Sequence, residues 1–178
     1  MPTSRLPDQV FKLECEYFRF FDFDVVFEER FWKLVVGIAD ENGDTEVTLG
    51  VLDPNATYFR RHFGYFGEAC IGVSTTATEY QELIGREPSD SPADALRHNA
   101  NVIAFCGPSH RWAIWVQRNL GLGVIAQTAG APPLPDSIRS LIRWFSAREA
   151  LEALVAPNFL TAGIPPDVAQ RLVKNYPA

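Results

Sequence analysis

At 178 residues, with 47% hydrophobic and 21% charged, the chain has ordinary globular composition, which excludes a disordered polymer. Its three cysteines, Cys15, Cys70 and Cys106, are odd in number and include no CxxC pair, which excludes a dense disulfide framework and a local zinc-gripping motif. The formal charge of −6 is concentrated: residues 1–53 carry 12 acids and 5 bases, net −7, while residues 54–178 carry 10 and 11, net +1. Such an N-terminal field repels phosphate backbones, so no nucleic-acid partner is expected, and it attracts basic proteins.

No window reaches the ~18 apolar residues of a spanning helix, and no apolar stretch follows Arg5 at the start of the chain. A cytoplasmic protein with no membrane association and reduced thiols is therefore expected. The length suits a single domain over 1–178 with a core that needs no staples.

Residues 10–36 contain neither Gly nor Pro and show two stretches of period-two alternation. Phe11, Leu13, Cys15 and Tyr17 oppose Lys12, Glu14 and Glu16. Phe21, Phe23, Val25 and Phe27 oppose Asp22, Asp24 and Glu28. Both read as strands with one buried and one acidic face. In LVVGIADENGDTEVTLGVL, two β-rich runs flank Asn42-Gly43, which reads as a hairpin turn. Its acids do not fall at the alternate positions of a calcium loop.

Asp53-Pro54 then reads as the cap and first position of a short helix to Phe63 that buries Phe59, Phe63 and Phe66, with Arg60, Arg61 and His62 wet. CIGV at 70–73 reads as a strand. Thr76 with Glu79 predicts a capping box for a helix that Gly85 stops, and Ser91, Pro92 and Asp94 open another near 92–99. From Asn101, VIAFC, RWAIWVQ and LGLGVIAQT, joined by Gly107-Pro108-Ser109 and Arg118-Asn119, predict a three-strand meander. Their nearly continuous apolar character suggests strands covered on both faces. Gly121 and Gly123 read as strand glycines that admit a bulky aromatic. Ala129–Pro135 is a Pro-rich connector. Ser146 with Glu149 makes a further capping box, and Pro165-Pro166 starts a last helix with Val168, Leu172 and Val173 on one side. The resulting fold class is α+β, with antiparallel β-meanders at about 10–51 and 101–127 and helices packed on one side.

Cys106 and His110 flank Gly107-Pro108-Ser109, the pairing an imidazole-activated thiolate requires. With Arg111 and His98 they are the candidates for a catalytic or small-molecule pocket. No helix N-terminus, orienting acid or oxyanion loop accompanies them in the sequence, and a small buried Cys beside a turn His accounts for both. His62, His98 and His110 share no metal-ligand spacing, so no metal or cofactor is expected. Trp144, with Trp112, Trp115 and Tyr65, could wall a pocket, although 112 and 115 differ by an odd number and face opposite sides of a strand. The charge asymmetry leads instead to a non-enzymatic module of inhibitor or immunity type. It would hold a basic protein partner through Asp22, Asp24, Glu28 and Glu29.

Overall fold

The computed structural model describes residues 5–63, 67–87, 95–159 and 163–177. The fold is α+β, built on a six-stranded antiparallel sheet. Its centre is the expected C-terminal meander: β4 (Val102–Cys106), β5 (Trp112–Gln117) and β6 (Leu122–Thr128) pair in sequence order, with Phe105 opposite Ile114 and Ile114 opposite Ile125. Both faces are covered. Trp112, Ile114 and Val116 enter one core, while Trp115, Leu122, Val124 and Ala126 enter the other. Gly123 is required by close approach, because a Cβ there would lie 2.3 Å from the ring of Phe21.

The N-terminal part departs from the expected meander at 10–51. The first strand, β1 (Cys15–Asp22), pairs with the last strand, β6, and not with its sequence neighbour. Its expected alternation holds only in part: Lys12, Glu14 and Glu16 are exposed and Phe11 and Cys15 half-buried, but Leu13 and Tyr17 are exposed, and the buried side chains of the strand are Phe18, Phe20 and Phe21. The second expected strand is a 3-10 turn, Phe23–Phe27, buried through Phe23, Val25 and Val26. The expected hairpin is replaced by helix α1 (Glu29–Asn42), followed by β2 (Glu46–Asp53). The buried set of α1, Phe31, Trp32, Leu34, Val35, Ile38, Ala39 and Asn42, follows a helical stripe. Gly43, at φ 73°, stops it, its N–H donating to the carbonyls of Ala39 and Asp40. Asn-Gly thus supplies positive φ at a helix end instead of at a hairpin turn.

Beyond β2, helix α2 (Ala56–Phe63) begins two residues later than Asp53-Pro54 suggested. Asp53 closes the strand, and Asn55 Oδ1 accepts from the N–H of Tyr58. Phe59 is buried and Arg60, Arg61 and His62 are exposed. The side chain of Phe63 and residues Tyr65 and Phe66 lie outside the described residues. Strand β3 (Glu68–Gly72) forms the far edge, giving the order β1-β6-β5-β4-β2-β3. Helix α3 (Ala77–Gly85) carries the expected Thr76–Glu79 box. Helix α4 (Leu96–Asn99) follows, its expected caps Ser91, Pro92 and Asp94 lying outside the described residues.

Helices cover both faces of the sheet, not one. On the first face α1 packs on β2, with α3 and the short α5 (Asp136–Arg139) against α1. On the second, α6 (Ala147–Ala150, continued by a π turn to Val155) packs on β1 and on α7 (Pro166–Asn175). The Ser146–Glu149 box caps α6. Bonds to the cap residue's backbone and hydroxyl hold the Glu79 and Glu149 carboxyls below their usual range. In α7 the buried residue is Leu172, while Val173 is exposed. No helix among the described residues is long and apolar enough to cross a membrane.

Candidate functional site

The four acids expected to bind a partner fall where β1 passes through the 3-10 turn into α1. Phe23, Val25 and Val26 are drawn into the core, which leaves Asp22, Asp24, Glu28 and Glu29 exposed on a tight corner. Asp22 caps the turn, its Oδ1 accepting from the N–H of Asp24 at 2.9 Å. The corner is braced from below. Arg118 lies over the rings of Phe23 and Phe27, 4.8 and 5.5 Å from their centroids, and donates to the carbonyls of Arg97 and Ala100 at 2.6 and 3.0 Å. Two carbonyls and two ring faces hold this guanidinium in place, and burial lowers its pKa.

Asp22, Asp24 and Glu28 line one cleft of about 280 Å³, together with Arg30, Arg143, Phe145 and residues of the α6 extension. Glu29 stands at the first position of α1 and is not among the lining residues. Three carboxylates therefore meet two guanidiniums. Arg30 is bound to Glu28, and Arg143 lies 4.7 Å over the ring of Phe145. This wall can orient a polar or cationic group through Asp22 and Asp24, whose carboxylates make no ion pair among the described residues.

The Cys106–His110 turn is organised around a residue the sequence reading missed. Asp44, only 5% exposed, accepts from Ser109 N at 2.7 Å, Ser109 Oγ at 2.9 Å and Trp112 Nε1 at 2.8 Å. The tie spans 65 residues in sequence between Asp44 and Ser109. Gly107 is packed so tightly here that a Cβ would fall 2.0 Å from Asp44 Oδ2. Cys106 is half-buried, and burial, with Asp44 adding its negative charge, pushes its thiol pKa up, the direction opposite to thiolate activation. His110 takes φ 54° and is exposed. His98 is exposed on α4 and His62 on α2. None of the three, nor Cys106 or Arg111, lines the charged cleft. No group of three His, Cys, Asp or Glu residues able to hold a metal occurs among the described residues. The signal for Asp44 lay in treating Asn42-Gly43 as a helix stop, which puts the next acid at the helix exit beside the sheet.

A second, larger groove, of about 550 Å³, is walled by Tyr17 and Trp144 over the Pro-rich connector. Trp144 thus lines a concave surface, as one reading of the sequence allowed. Trp112 and Trp115 are buried on opposite faces of β5, and Tyr65 lies outside the described residues. The fold and these clefts define an α+β protein with an open charged corner and a separate aromatic groove. The chain matches no known family model, no curated protein and no solved structure.

Proposed function

We propose that the protein is a non-enzymatic binding module that holds a basic protein segment at the acidic corner. The observation that carries this reading is the convergence of Asp22, Asp24 and Glu28 on a single cleft, with Glu29 beside it. The N-terminal third supplies the surrounding negative field, and such a field speeds capture of a cationic partner and disfavours anionic ones. Membrane and nucleic acid have no part in this reading. A cytoplasmic setting fits it, since Cys15, Cys70 and Cys106 are all free thiols.

The combined substitution Asp22→Lys, Asp24→Lys, Glu28→Lys and Glu29→Lys tests the reading. Immobilised wild-type chain is expected to retain a basic protein from a lysate of the source cells at low salt and to release it as salt screens the charges. The reversed chain is expected not to retain it. Because Asp22 also caps a turn, the milder Asp24→Asn with Glu28→Gln is run in parallel, with thermal unfolding confirming that both variants fold. Identical retained proteins with wild type and variants, or no basic protein with wild type, would overturn the proposal.

A further inference from the structure

The groove between β1, the end of β6 and the segment leading to Trp144 differs from the acidic corner in charge and in wall chemistry. Tyr17, 57% exposed, stands on the edge strand β1 directly opposite Gln127 of β6. The opposite wall is the indole of Trp144. It is fixed by its N–H, which donates to Arg139 O at 2.7 Å, and by edge-on packing against Phe21 with centroids 5.9 Å apart. Two guanidiniums complete the lining, and no carboxylate does. Arg19 makes no ion pair among the described residues and spends one amino group on Phe18 O at 2.8 Å. Arg139 reaches Asp136 only at 3.7 Å and donates to Leu134 O at 3.1 Å. The lining holds two arginines and no acid, with Asp136 and Glu149 within their electrostatic reach, and is the more cationic of the two clefts, so it favours an anion over a cation.

Gln127 supplies an independent pointer. It is only 9% exposed, lines the groove, and uses Nε2 on Pro132 O at 3.2 Å, while its Oε1 accepts no hydrogen bond from any described residue. That oxygen is not one of the fully buried unpartnered atoms, so it reaches the groove and is open to a ligand donor. The volume lies in the range of small-molecule sites. We infer that this groove binds a small aromatic carboxylate bearing an N–H or O–H donor. Its ring lies between Tyr17 and Trp144, its carboxylate meets Arg19 and Arg139, and its donor reaches Gln127 Oε1. Planar guanidinium suits carboxylate, and the aromatic walls suit a flat apolar body. This site is separate from the acidic corner, and neither proposal depends on the other.

Indole-3-acetate, which has the ring, the carboxylate and an N–H, is the probe, titrated by calorimetry into the full chain. Saturable binding with Kd of about 1 mM or tighter is expected. Indole-3-acetamide, neutral but of the same shape, should bind about tenfold more weakly, and acetate alone not measurably. Arg19→Gln with Arg139→Gln, both at exposed positions, should reduce affinity for the acid about tenfold without lowering the melting temperature. Asp24→Lys, at the other cleft, should leave it unchanged. Four outcomes would each overturn the inference: no saturation, equal affinity for acid and amide, acetate binding as well as the aromatic acid, or indifference to the arginine substitutions.

Discussion

Asp44→Ala is expected to lower the stability of the fold by about 2 to 4 kcal/mol, because it strands the buried Trp112 N–H and takes the acceptor from the partly buried Ser109 N–H and hydroxyl. Trp112 is fully buried, and its indole N–H meets Asp44 Oδ2 at 2.8 Å. The Ser109 backbone N–H meets Oδ1 at 2.7 Å. Each buried donor left unpaired costs about 1 to 3 kcal/mol, and the Ser109 hydroxyl loses its partner as well. Asp44→Asn keeps the volume but turns one acceptor into a donor facing an N–H, so a smaller loss of about 2 kcal/mol is expected. Ser109→Ala removes one donor to Asp44 and the long, exposed acceptor of Arg111 N–H at 3.4 Å, which water replaces, so about 1 kcal/mol is expected. Urea unfolding at neutral pH checks the order. A lower midpoint at constant slope is expected for all three, and a loss below about 1 kcal/mol for Asp44→Ala would contradict the account. The same substitutions bear on the Cys106–His110 turn, because Asp44 is what holds Ser109 against the core.

Tyr176→Ala is expected to cost about 3 to 5 kcal/mol, mostly from the space its ring leaves behind. The ring is 1% exposed and stands edge-on to Phe11, Phe18 and Phe20, with centroids 6.4, 5.2 and 5.6 Å away. Its hydroxyl donates to Asp8 O at 2.6 Å and accepts from Val10 N at 3.1 Å, clamping the segment before β1 onto α7. Burial raises the phenol pKa, so it stays a neutral donor well above physiological pH. Tyr176→Phe separates the two contributions. It keeps the packing and should cost only about 1 to 2 kcal/mol, with amide exchange quickened at Val10. Equal losses for Tyr176→Ala and Tyr176→Phe would mean that the hydrogen bonds, and not the packing, carry the clamp.

Where the sequence was legible, a local rule and the tertiary environment asked for the same thing. The Thr76–Glu79 and Ser146–Glu149 boxes need only four consecutive residues, and both are present. The 101–127 meander announced itself through short turns between apolar runs, and those continuous runs also signalled burial on both faces. Helix α1 was hidden because Val35, Val36 and Ile38 favour extended backbone in isolation, and because Asn42-Gly43 serves a helix stop as readily as a hairpin. Tertiary packing uses the helical stripe from Phe31 to Asn42, seven residues of which are buried. The phase of β1 was only partly legible for a related reason. Phe18 and Phe20 enter one core and the adjacent Phe21 enters the other, so the Phe20-Phe21 pair interrupts the alternation that would report the strand's orientation. Of the sites, the acids Asp22, Asp24 and Glu28 could be picked out by charge pattern, but their sharing a cleft with Arg30 and Arg143 could not. Asp44 and Gln127 owe their significance to partners and neighbours brought in by the fold.

The proposed binding role of the acidic corner is tested most directly by amide hydrogen exchange on the chain with and without the basic protein that the lysate experiment is expected to yield. Slowed exchange confined to residues 22–30 and 143–145 is expected, weakening as salt is raised. Protection instead at Tyr17 and residues 127–139, or no protection at Asp24 and Glu28, would contradict the account.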